Sequence, residues 1–106
     1  MDLAVECYGL TKQFPKDEQF GAVSQIRRSA ASIAANIAEG HGRDMTGSYI
    51  HHLKIAQGSL KELETHLILS VRVHLASPEA VAGAMGMIDE TGKMLRALIR
   101  SLQKTE

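Results

Sequence analysis

Four stretches of this chain repeat apolar residues every three or four positions, and none alternates with period two over a β-branched run. That rhythm confines the fold to packed helices, because a stripe on a 3.6-residue period buries on a helix and not on a strand. The first stretch, Asp2 to about Gln13, carries Leu3, Ala4, Cys7 and Leu10, and closes at Phe14-Pro15, where proline disfavours helical backbone in the residue before it. The second starts near Asp17-Glu18 and runs to about Glu39 on Val23, Ile26, Ala30, Ile33, Ala34 and Ile37, with small residues through its middle that admit a close neighbour. Gly40 and Gly42 are expected to end it at positive φ, and Asp44, Thr46 and Ser48 are alternative caps for the next helix. The third stretch, about Thr46 to Ala76, keeps the rhythm through Tyr49, Leu53, Ala56, Leu60, Leu63, Leu67 and Val71. Gly58 interrupts it, which requires either a close helix contact or a bend. Ser77-Pro78-Glu79 is an N-cap, a first-turn proline and an acid, and opens a fourth helix through Val81, Met85, Ile88, Leu95, Leu98, Ile99 and Leu102 to a frayed Lys104-Thr105-Glu106 end.

Short connections between four helices predict an all-α, antiparallel up-and-down four-helix bundle with a shortened first helix, one domain over residues 1–106. A first helix of this length covers only part of its neighbours. Apolar surface on the second to fourth helices is therefore expected to stay open in a monomer, which favours self-association.

Twelve Lys and Arg balance twelve Asp and Glu, so bulk charge attracts neither nucleic acid nor an acidic membrane, although local patches survive that balance. One Cys excludes an internal disulfide, and with no basic leader and no long apolar run the expected location is the cytoplasm. Cys7 reads as a small buried apolar residue. The five His do not converge on a metal: His51 and His52 are adjacent and splay around one helix, and His66 and His74 are too far apart along the axis to share an ion. No Gly-x-Ser-x-Gly elbow, phosphate loop or dinucleotide fingerprint occurs. Glu39 with His41 is the one acid/base pairing to weigh, and no desolvated cleft follows from the sequence. The chain is expected to be no enzyme, with no cofactor and no metal.

Polar residues that stand out lie along the second helix and its following turn: Arg27, Arg28, Asn36, Glu39, His41 and Arg43. One reading is a solvated helix face whose C-terminal turn is tied by Asn36 and Glu39 to the next backbone segment. The other is a phosphate- or acid-binding patch anchored by Arg28 and Arg43. Lys93, Arg96, Arg100 and Lys104 form a second basic row on the last helix, either complementing the helix C-terminus and aiding solubility or binding a ligand.

Gln25-Ile26-Arg27-Arg28, Ser32-Ile33-Ala34-Ala35-Asn36-Ile37-Ala38-Glu39-Gly40, Leu53 through Thr65 and Gly92-Lys93-Met94-Leu95 together resemble the bacterial four helix bundle protein family, also called the 23S rRNA-intervening-sequence protein family. The matching positions include Arg27, Arg28, Asn36, Glu39, Gly40, Gly58, Ser59 and Glu62, with Asn36, Glu39, Ser59 and Glu62 expected as a structural polar cluster. The resemblance implies a homopentameric bundle without assigned enzymatic activity. It also implies kinship with the accessory protein of diversity-generating retroelements, which is thought to engage a reverse transcriptase and nucleic acid through a basic surface. Members usually begin earlier, with a segment containing a Trp and basic residues; this chain is expected to open inside that first helix. The function expected is an interaction module that binds nucleic acid or a nucleic-acid enzyme through its basic patches. The alternative is a purely structural or protein-binding scaffold.

Overall fold

The computed structural model describes residues 1–43 and 45–104, so Asp44 as a cap and the Thr105-Glu106 end lie outside the described residues. Its order is α1 (Asp2–Thr11), a 3-10 turn (Lys16–Glu18), a π-helical segment (Gln19–Val23), α2 (Ser24–His41), α3 (Thr46–Arg72) and α4 (Pro78–Lys104). The four helices pack up and down in a ring, with α1 against α2 and α4, α2 against α3, and α3 against α4. At 10 residues α1 is much the shortest, against 18 for α2 and 27 each for α3 and α4.

The 3,4-spaced stripes make the core. Leu3, Cys7, Leu10 and Phe14 meet Val23, Ile26, Ala30 and Ile33, and these face Leu53, Leu60, Leu63, Leu67, Ile88, Leu95 and Ile99. Each fully buried Leu or Ile contributes roughly 1.5–3 kcal/mol over its exposed state, so the stripes dominate the stability. Thr11 closes α1 by donating its hydroxyl to the Cys7 carbonyl oxygen at 2.8 Å. The chain then turns at Pro15 and enters α2 through a kink at Gly21, where φ is −106° and ψ −107°. The expected single helix from Asp17 is thus divided: only Ser24 onward is regular α-helix, because the π-helical segment reorients the chain after Pro15.

Other boundaries also differ from the sequence expectation. Gly40 does not end α2 but lies inside it, and neither it nor Gly42 takes a positive φ. Gly40 is needed for close approach, since a Cβ there would sit 2.9 Å from both His52 Cβ and Tyr49 Cδ1 of α3. The α3 N-cap is Met45, without a side-chain cap bond, so neither Thr46 nor Ser48 serves that role. At the other end α3 stops at Arg72, earlier than Ala76. His74 takes φ 64°, and the Leu75 N–H donates to Ser70 O at 2.8 Å, the left-handed helix closure that glycine commonly provides. The α4 start is as expected, with the Ala80 N–H donating to Ser77 Oγ at 3.1 Å.

Apolar surface does remain uncovered. Beside the first turn of α1, a cavity of about 480 Å³ opens between Ala30, Ile33, Ala34 and Ile37 of α2 and Met87 and Met94 of α4. Ile55, Ile68 and Leu69 on α3, and Val73 just past its end, are exposed large hydrophobics. No helix among the described residues is long and apolar enough to cross a membrane.

Candidate nucleic-acid interface

The conspicuous polar residues of α2 separate into two sets with different tasks. Arg27 belongs to neither a patch nor solvent: its Nε donates to Thr11 Oγ1 at 2.8 Å, and its guanidinium lies 4.7 Å from the centre of the Tyr8 ring. It ties α1 to α2. Asn36, Ser59 and Glu62 are drawn into the α2/α3 interface. Ser32 and Ser59 hydroxyls are 2.8 Å apart, Asn36 Nδ2 donates to Ser32 O at 2.9 Å, and Ser29 Oγ donates to Glu62 Oε1 at 3.0 Å. His66 Nε2 approaches that same carboxylate at 3.8 Å. Spacing on α2 alone puts Ser32 and Asn36 on one polar line; only the antiparallel register of α2 and α3 sets Ser59 and His52 opposite them.

Glu39 is not part of this seam. It is exposed and ion-paired with Arg43, one turn further on. That pairing differs from the expected tie between Glu39 and the next segment's backbone, and as an exposed ion pair it holds Arg43 only weakly. His41 packs edge-on to Tyr49, with ring centroids 6.1 Å apart. A cavity of about 600 Å³ beside His41 is walled by Ala31, Ala34, Ala35, Ile37 and Ala38 and does not include Glu39, so the two groups do not converge on a shared cleft. Among the described residues no group of three or more His, Cys, Asp or Glu could hold a metal ion. Cys7 is buried, and burial, assisted by the charge of Glu6, pushes its thiol up from an ordinary 9.0 to about 11. A thiol held protonated in this way is a poor nucleophile.

The second basic row is differently placed. Leu60 of α3 lies against Gly92 of α4, where an added Cβ would meet Leu60 Cδ2 at 3.4 Å. That contact fixes the antiparallel register of the two helices. Lys61, Glu64, Asp89 and Arg96 flank the seam at that level. Lys54, two turns before Lys61 on the same face of α3, falls level with the stretch of α4 between Arg96 and Arg100. Lys54, Arg96, Arg100 and Lys104 are all exposed and form no ion pair among the described residues, whereas Lys93 pairs with Asp89 at 3.2 Å. Residues 45–57 and 93–104 hold these five cations and no Asp or Glu, while residues 78–92 hold Glu79, Asp89 and Glu90 and no Lys or Arg. The stretches 45–57 and 93–104 are locally basic, although Arg96 reaches back over Gly92 beside Glu64 and Asp89.

Arg28 is exposed and unpaired among the described residues but stands on α2, whose neighbours are α1 and α3, near the level of Glu62. One chain does not bring it beside Arg100. The seven-residue spacing of Lys54 and Lys61 is visible in the sequence, but the place of Lys54 relative to the α4 row depends on the register of α3 on α4.

A family model described as 23S rRNA-intervening sequence protein matches residues 1–97. Among solved structures, the chain is similar to a protein of unknown function from the S23 ribosomal protein family of Bacteroides thetaiotaomicron VPI-5482. The two share 28% identity over 92% of each chain, with a TM-score of 0.82. No curated protein matches.

Proposed function

We propose that this chain, which belongs to the 23S rRNA-intervening sequence protein family, is a non-enzymatic cytoplasmic interaction module, one bundle over residues 1–106. It self-associates through α3 and holds the phosphate backbone of nucleic acid on the pad of Lys54, Arg96, Arg100 and Lys104. The observation that carries the nucleic-acid reading is the absence of any carboxylate from the described parts of α3 and α4 that bear these cations. Complementing a helix C-terminus requires only cations near the last turn. Lys54, in the first half of α3, is left unexplained by that account and accounted for by a polyanion. Arg28 and Arg43 join the surface from neighbouring copies in the assembly, for which the family resemblance suggests a pentamer; an enzyme that handles nucleic acid is a further partner compatible with the same surface. Self-association is supported by Ile55, Ile68 and Leu69, three large apolar side chains exposed on one helix, with Val73 exposed just past its end.

Binding of labelled RNA followed against salt tests the main reading. Affinity falls steeply with salt, and the double variant Arg96→Gln, Arg100→Gln reduces the salt slope by about two, one for each lost phosphate contact. No binding at about 50 mM salt overturns it. If these substitutions instead shift only assembly or melting temperature, the chain is a scaffold without a nucleic-acid ligand. Light scattering tests assembly: a particle of monomer mass at all micromolar concentrations overturns self-association, and Leu69→Glu is expected to dissociate the oligomer.

A further inference from the structure

We infer that the groove between α1, α2 and α4 receives the apolar ridge on α3 of a second copy of this chain, so that copies join head to tail. The inference rests on the self-association reading above and names the surface that α3 meets. The ridge is compact. Ile68 and Leu69 are exposed and stand four and three residues before Arg72, which places all three side chains together on the helix surface. Ile68 and Arg72 also wall a shared cleft against α4. Arg72 forms no ion pair among the described residues. The groove carries the opposite charge. Two adjoining cavities of about 480 and 600 Å³ share Ala34 and Ile37 of α2 as a wall, and Met87 and Met94 of α4 close the smaller one. The charged side chains lining that cavity, Asp2 and Glu90, are both acidic, both exposed and without an ion pair among the described residues. Aliphatic side chains around one cation thus match an apolar groove with two carboxylates at its rim.

One chain cannot make this contact with itself. The helices form a ring in which α1 packs against α2 and α4 and α3 lies diagonally across, so the groove beside α1 and the exposed ridge of α3 are on different sides of the bundle. Each copy therefore keeps a free ridge when its groove is filled, which is the heterologous contact of head-to-tail assembly. A symmetric contact of two α3 ridges would bring two Arg72 guanidinium groups together and leave both grooves open to water.

The test uses the full chain, with particle mass read by light scattering. Leu69→Glu spoils the ridge and Ala34→Glu the groove, so each variant alone is expected to be a monomer. Mixed in equal amounts, the two still offer one intact ridge and one intact groove, and the mixture is expected to give particles of two copies and no larger. With the parent assembled, growth of Ala34→Glu to the parent mass, or a mixture that stays monomeric, overturns the docking of α3 in the groove and leaves self-association in place. A parent of monomer mass at all micromolar concentrations overturns the self-association reading itself. Because Ala34 is half-buried, a second pair of variants at exposed positions keeps the test independent of its folding. Arg72→Glu and Glu90→Arg are each expected to weaken assembly about two- to fivefold, and the double variant to recover most of that loss. Losses that simply add overturn the pairing, and the docking with it.

Discussion

Nδ1 of His52 lies 3.1 Å from Oδ1 of Asn36 across the α2/α3 interface. The amide cannot be reversed, because its Nδ2 is already donating to Ser32 O at 2.9 Å and to Ser32 Oγ at 3.2 Å. An amide oxygen only accepts, so the proton of neutral His52 sits on Nδ1 and Nε2 is left as an acceptor. Asn36→Ala removes both halves of this bridge and leaves His52 Nδ1 without its partner in a part-buried seam, while Ser32 keeps its contact with Ser59. The expected cost is about 1–3 kcal/mol in urea unfolding. Ser59→Ala, which removes one hydroxyl contact, should cost less, and equal losses for the two would show that Asn36 is not the centre of the seam.

Two glycines that look alike in sequence are expected to respond oppositely. Gly40 has no room for a methyl group, since two atoms of α3 lie 2.9 Å from its Cβ position and one of them is the His52 Cβ, fixed to the backbone. Gly40→Ala should therefore destabilise by about 1–3 kcal/mol through a forced shift of α2 from α3. Gly58 has nothing within 4 Å of its Cβ position, so a close contact within the chain does not account for it, and α3 runs unbroken from Thr46 to Arg72. Gly58→Ala should stabilise the helix by up to about 1 kcal/mol in thermal melts under conditions where the chain is monomeric.

The four helices, their order and most of the core were legible because each stripe is decided by residues three and four apart on one helix. Leu53, Leu60, Leu63 and Leu67 needed no partner to be recognised as core. What was not legible depends on distant segments or on backbone geometry. Gly40 resembled a helix terminator until Tyr49 and His52 were set against it, and although Asn36, Ser59 and Glu62 were expected as a polar cluster, their individual partners depend on the α2/α3 register and Glu39 falls outside it. The basic row on α4 was visible within one helix, but its extension to Lys54 required the register between α3 and α4. The kink at Gly21 and the left-handed His74 left no periodic trace.

Arg27 separates structural from binding arginines. Its Nε bond to Thr11 and its position over Tyr8 fix α1 on α2, so Arg27→Ala should loosen α1 and lower stability by about 1–2 kcal/mol. Arg27→Lys should recover only part of this, because an ammonium retains charge but not the planar group that bonds and stacks at once. Hydrogen exchange in residues 2–11 is the measurement that checks it, with faster exchange expected in both variants. Affinity for nucleic acid, measured where both variants are folded, should stay within about twofold of the parent, whereas loss comparable to that of the Arg96, Arg100 double variant would return Arg27 to the binding surface.

Cys7 gives the fold a pH dependence at the alkaline end. Burial raises its thiol to about 11 in the folded chain from an ordinary 9.0, so the unfolded chain releases this proton first as pH rises. The unfolded state then binds fewer protons than the native one, and stability falls with pH. The contribution is fully present below pH 9.0 and is lost progressively as pH rises through about 11. Urea titrations at a series of alkaline pH values should show this decline, and Cys7→Ala should flatten it while lowering stability at neutral pH through the lost side-chain volume. The same burial sets the reactivity: at pH 8 iodoacetamide should leave Cys7 unmodified in the native chain and alkylate it at the rate of unfolding when urea is added. Rapid alkylation without denaturant would place the thiol in contact with solvent, against its full burial between α1 and the core.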